Sequence, residues 1–152
     1  MKNINESGRS MVEMLGVLAI IGVLSVGGIA GYTRAMKNWR ANEIIDAANK
    51  VVVLAETSDT SSEESYANIG TVGNIAGGAV TSIAAQRTSS GGTVTITLKD
   101  NSAAMQALAT AISDKLGTAN PSARVLSGYT RTINCGTDTA CGNNQQANGG
   151  SS

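Results

Sequence analysis

The sequence predicts an α+β protein: one long N-terminal helix packed, by its C-terminal half, against a small antiparallel β-sheet, with a second helix. Three observations carry this. An apolar run starting at Met11 passes into an amphipathic stretch from Tyr32 to Glu56 without a proline. Residues 93–98 alternate as Thr-Val-Thr-Ile-Thr-Leu. Residues 102–116 repeat apolar side chains at helical spacing behind a capping segment.

The long helix comes first. Residues 1–10 are polar, and residues 11–30 are apolar apart from Glu13 and small residues. Residues 14–30 carry no charge, a length near the lower end of the roughly 17–25 residues that span a bilayer. Gly16, Gly22, Gly27 and Gly28 lie inside this run. In water each weakens a helix by about 1 kcal/mol, whereas in lipid or in a packed bundle small residues let helices approach closely. Beyond Tyr32, the residues Ala41, Ile44, Ile45, Ala48, Val51, Val52 and Ala55 follow the i, i+3, i+4, i+7 template, with Trp39, Arg40, Glu43, Asp46 and Lys50 off that stripe. No proline or capping signal intervenes between 11 and 56. The pattern therefore predicts one helix of about 45 residues, at roughly 1.5 Å each.

The remaining elements are shorter. Residues 57–65 are polar and read as a loop, and residues 66–92 are rich in Gly, Ala, Ser and Thr. Within them, residues 79–85 suit either a short strand or a short helix. In the strand at 93–98, Val94, Ile96 and Leu98 face one way and Thr93, Thr95 and Thr97 the other. Asp100, Asn101 and Ser102 supply cap residues. The helix after them places Met105, Leu108, Ala109, Ile112 and Leu116 on one face, with Gly117 at the C′ position and Pro121 beyond it. Residues 124–133 read as one or two strands, and the Gly/Asn/Gln/Ser tail at 142–152 as frayed.

Composition narrows the function. The chain has 152 residues, room for one domain. Lys+Arg and Asp+Glu are 11 each, and no basic cluster suggests a nucleic-acid partner. There is no His, which removes the commonest general base and transition-metal ligand. No nucleophile–base pair, metal cluster or phosphate-binding loop appears. The sequence thus points to no catalytic residue, no metal and no cofactor, and away from an enzyme. Phe is absent and aromatics are 3%, so the core is built from Ala, Gly and small aliphatics, and cores of this kind usually need a staple. Cys135 and Cys141 are the two cysteines, too few for a metal site of their own. In a reducing compartment they read as free thiols, and in an exported chain as a disulfide.

The segment Gly8-Arg9-Ser10-Met11-Val12-Glu13-Met14-Leu15 carries the most information. A short polar leader ends in Gly, a single Glu follows at the fifth position after it, and the apolar run begins. This resembles the prepilin leader and N-terminal helix of the type IV pilin family, which includes the type II secretion pseudopilins. The resemblance covers about residues 1–35. It implies a cut between Gly8 and Arg9 by the prepilin peptidase, N-methylation of the new terminus, and an assembly role for Glu13 with Arg9. The family's first mature residue is usually Phe or Met, and here Arg9 stands in its place. A start at Met11 would put Ser10 before the cut and bring Glu13 too early, so Gly8 is retained.

The resemblance also implies an organisation and a set of partners. Residues 1–8 are the leader, 9–31 the transmembrane and filament-core helix, and 32–152 the globular domain with the C-terminal half of the long helix. The partners are further copies of the chain in a helical homopolymer, the prepilin peptidase, an inner-membrane assembly platform, and the membrane that holds the precursor. The location is the inner membrane first and the extracellular pilus afterwards. The function is that of a structural filament subunit serving adhesion, motility, DNA uptake or conjugation. In pilins a C-terminal disulfide often pins the variable surface region, which implies a Cys135 to Cys141 bridge closing residues 136–140. A helix between strand segments resembles the type IVb pilins, including conjugative thin-pilus pilins.

Physical chemistry supports the same segment independently. A carboxylate near the start of a span costs several kcal/mol if unpaired. A free amine at Arg9 gives Glu13 a partner in its own or a neighbouring chain, and such a pair fixes axial register as buried polar pairs do in coiled coils. Other readings remain. A secretory signal peptide is one, although the run is long, contains Glu13 and lacks an A-x-A site. An ordinary anchor is another: Lys2 and Arg9 precede the span and Arg34, Lys37 and Arg40 follow it, which alone favours the C-terminal part inside. A pseudopilin shares the leader, and a non-polymerising, membrane-anchored binding module would not be cut at Gly8.

Overall fold

A computed structural model describes residues 5–58, 62–89, 91–116, 128–137 and 141, with side chains from Ser10 onward. The chain forms two compact units, Met1–Met36 and Lys37–Ser152. Helix α1, Asn5–Thr57, runs for 53 residues. It starts earlier than the sequence pattern indicates, inside the polar N-terminal segment. That segment holds no proline, and a helix nucleated elsewhere extends by one hydrogen bond per residue added. Within the apolar part, Ser25 Oγ donates to the Ile21 carbonyl at 2.7 Å and Thr33 Oγ1 to the Ala30 carbonyl at 2.9 Å. These hydroxyls are satisfied by their own helix, so they need no water.

In the second unit α1 buries Ala41, Ile44, Ala48, Val51, Val52 and Ala55, with Ile45 packed at the margin. Ala47, not on the expected stripe, is buried as well. Asp46 and Lys50, one turn apart, pair at 2.8 Å on the water side. The other elements are β1 (Glu63–Ser65), β2 (Val80–Thr88), β3 (Gly91–Leu98), α2 (Ala103–Leu116) and β4 (Tyr129–Cys135). The sheet order is β1-β2-β3-β4.

The expected antiparallel sheet is in fact mixed. β1 with β2 and β2 with β3 are antiparallel, but β3 and β4 are parallel. Parallel neighbours need a crossover of a dozen or more residues, and α2 lies in the segment that joins these two strands. Residues 63–65, read from sequence as loop, form an edge strand, with Glu63 opposite Gln86 and Ser65 opposite Ala84. Three polar residues carry no periodicity, so only the pairing reveals them. Residues 79–85, open between strand and helix, fall mostly in β2. Short 3₁₀ turns at Tyr66–Asn68 and Val72–Gly77 precede it. Gly117, Pro121, residues 124–127 and the tail at 142–152 lie outside the described residues.

The core sits on one face of the sheet. Ile83, Ile96 and Ile133 form a row across β2, β3 and β4, and Val94 and Leu98 extend it along β3. Leu108, Ala109, Ile112 and Leu116 of α2 join the same buried cluster as the α1 stripe. Thr93, Thr95 and Thr97 point the other way, as the alternation requires. The capping residues act as expected: Asp100 Oδ1 accepts from the Ser102 amide at 2.9 Å, and Ser102 Oγ from the Met105 amide at 3.4 Å. A Cβ at Gly92 would run into the ring of Tyr129 on the adjacent strand, so the tyrosine covers this β3 position, which has no side chain of its own.

If the second half of α1 is the spine of this unit, Ile44→Ala removes a fully buried side chain and is expected to destabilise by about 2–5 kcal/mol. Val53→Ala, on the exposed side of the same helix, should change stability by no more than about 0.5 kcal/mol. Denaturant titration of both full-length variants in detergent checks the contrast.

Candidate functional site

The expected site residues lie at opposite ends of the chain. Gly8 and Arg9 fall inside the first turns of α1, and the side chain of Arg9 is outside the described part. Glu13 follows Arg9 by four residues, the spacing that puts two positions on one helix face. Glu13 is exposed. The segment Ser10–Thr57 includes a stretch long and apolar enough to cross a membrane. Residues 14–33 carry no charge and cover about 30 Å at 1.5 Å per residue, the thickness of a bilayer's hydrocarbon core. Glu13 and Arg34 bound this stretch.

Among the described residues, nothing packs against the glycines of α1. A Cβ added at Gly16, Gly22, Gly27, Gly28 or Gly31 would meet nothing within 4 Å. Each nevertheless weakens the helix by about 1 kcal/mol relative to Ala. Close approach of another helix is the known use of such residues. Gly27 and Gly31 stand four apart, as in the small-xxx-small pattern. The sequence reading passed over Gly31; its spacing from Gly27 was the available signal.

At the other end, Cys135 and Cys141 are joined by a disulfide, with their Cα atoms 5.6 Å apart. Both are buried. Cys141 N donates to the Ile133 carbonyl at 3.2 Å, and Gly136 N to the Leu98 carbonyl at 2.9 Å. The first of these bonds occupies part of the free edge of β4, the last strand in the sheet. Gly136 has φ 62, a left-handed conformation that favours glycine, and its position lies against Asp100, where a Cβ would sit 3.4 Å from that residue's Cα. The staple thus packs on the segment that caps α2. Hydrogen bonds from the Ser102 side chain and backbone hold the Asp100 carboxyl below its usual range.

Among the described residues, no group of His, Cys, Asp and Glu is placed to hold a metal ion. Among the described residues the hydroxyl of Tyr129, on β4, is buried without a hydrogen-bond partner, and burial raises its pKa, with the Glu56 charge adding to the shift and Arg87 opposing it. No protein-family model, curated protein or solved structure matches this chain.

The bridge closes a short loop, for which chain entropy gives a stabilisation of about 2 kcal/mol. Replacing both Cys135 and Cys141 with Ser is expected to lower the unfolding free energy by about that amount. Membrane insertion should be unchanged, because the apolar segment of α1 makes no use of the bridge. Denaturation midpoints and carbonate extraction of the double variant test the two halves of this expectation.

Proposed function

We propose that this chain is the structural subunit of a type IV pilus-like filament, made as a membrane-held precursor, cut after Gly8 and assembled through its N-terminal helix. One observation carries the reading: the Gly8 to Glu13 spacing stands directly before an uncharged helical segment that is exposed among the described residues. The glycines with no internal contact support a helical partner for that segment. A second copy satisfies this need, because it offers the same small residues in return.

The steps follow from the chemistry of these residues. In the precursor, the leader keeps Glu13 close to the cytoplasmic interface, where a carboxylate is tolerated. The prepilin peptidase must open the helical turn containing residues 8 and 9 to reach the bond. Gly8 eases this, being less favourable than Ala in a helix by about 1 kcal/mol. Hydrolysis leaves a free amine on Arg9. On an inner-membrane assembly platform, an incoming subunit brings that amine to a neighbour's Glu13. The pair selects one axial position of helix against helix, which apolar contacts specify poorly in lipid. The finished polymer then leaves the membrane for the cell surface.

Glu13→Val tests the assembly role. The substitution removes a charge from the edge of the span, so the subunit should accumulate in the membrane at least as well as the parent chain. The yield of sheared filament should nevertheless fall sharply. Parental yield and helical rise in the variant would contradict the role, and loss of the subunit from the membrane would move Glu13 to targeting or stability. Gly27→Leu, which meets nothing inside the chain, should likewise insert normally and reduce the amount of filament.

A further inference from the structure

The chain holds one Trp and three Tyr. Tyr66 and Tyr129 pack against the core of the second unit. The other two aromatics do not: Tyr32 is 66% and Trp39 56% exposed. They stand seven residues apart on α1, two turns, and therefore on one side of the helix. Between them lie the exposed cations Arg34 and Lys37. Residues 14–42 contain no Asp or Glu, and among the described residues neither cation makes an ion pair.

The position of this group along the helix matches one environment. The uncharged segment ends at Thr33, where about 30 Å of hydrocarbon core would end. Tyr32 sits at that boundary. Trp39 lies about 9 Å beyond Thr33 along the axis, and helical side chains lean toward the N-terminus, which brings its ring back into the headgroup layer of roughly 5–8 Å. Amphipathic rings concentrate at that depth in membrane proteins, and anionic headgroups attract nearby Lys and Arg. We infer that Tyr32, Arg34, Lys37 and Trp39 form an interfacial anchor that seats the precursor in anionic phospholipid headgroups at the end of the span away from Glu13. The inference rests on the membrane-anchored reading and not on filament assembly. It also gives a use to cations on the side of the span where the positive-inside tendency disfavours them.

Trp39 is the only tryptophan, so the intact chain carries its own probe. The full-length protein is reconstituted into vesicles of phosphatidylcholine, with and without phosphatidylglycerol. Flotation after an alkaline wash confirms insertion. With phosphatidylglycerol present, Trp39 emission should shift to shorter wavelength and be shielded from acrylamide. Lipids brominated near the carbonyl should quench it more than lipids brominated near the chain end. Arg34→Gln with Lys37→Gln should return the shielding to the value in phosphatidylcholine alone. Water-like emission with full acrylamide access in floating vesicles would overturn the anchor while leaving the span intact. A blue shift that appears only as the protein-to-lipid ratio rises would assign Trp39 to a second copy and overturn it too. A chain that fails to float would refute the membrane reading itself, and the anchor with it.

Discussion

The structure is dominated by an apolar surface in its first unit that stands open among the described residues. Ten large aliphatic side chains of the first unit, from Met14 to Ile29, are more than half exposed. At about 2 kcal/mol each, leaving them in water costs on the order of 20 kcal/mol. Lipid or other helices would remove that surface from water. The details of the segment suit such surroundings. Ser25 and Thr33 bond to carbonyls of their own helix, and the charges nearest the segment, Glu13 and Arg34, stand at its two ends.

The second unit solves a different problem with few resources. It has no Phe, and Ala makes up much of its buried stripe on α1. Small side chains give close packing but little apolar area per residue, so the unit has reason to limit other losses. Its sheet edges are managed accordingly. β1 is three residues long, and the free edge of β4 is partly taken by Cys141. Both devices limit pairing with foreign strands. One face of the sheet carries the core while the other is lined by threonines, so burial is one-sided and the helices need to cover only that side.

Much of this was legible in the sequence because it depends on local periodicity. The α1 stripe, the alternation from Thr93 to Leu98 and the α2 stripe with its Asp100 and Ser102 cap each declare themselves within a few residues. What escaped was set by distant contacts. Glu63 and Ser65 are strand residues only because Gln86 and Ala84 lie opposite. The parallel pairing of β4 with β3 is decided by where α2 returns the chain, which no local pattern records. Ala76 adopts φ 53 although it is not glycine, and its complete burial beside Ile75 holds a conformation that its identity disfavours. Of the candidate site residues, Cys135 and Cys141 are brought together in space. Gly8, Arg9 and Glu13 were legible as a motif, and their helical placement adds spacing rather than a new contact.

Proteolytic maturation at Gly8 is the step on which the functional reading turns, since it creates the amine that Glu13 is proposed to meet. Intact-mass analysis of the chain recovered from surface-sheared material measures it directly. The expected mass is that of residues 9–152 with the Cys135 to Cys141 bridge closed, with or without one added methyl group. A chain that still carries residues 1–8 in assembled material would contradict the reading.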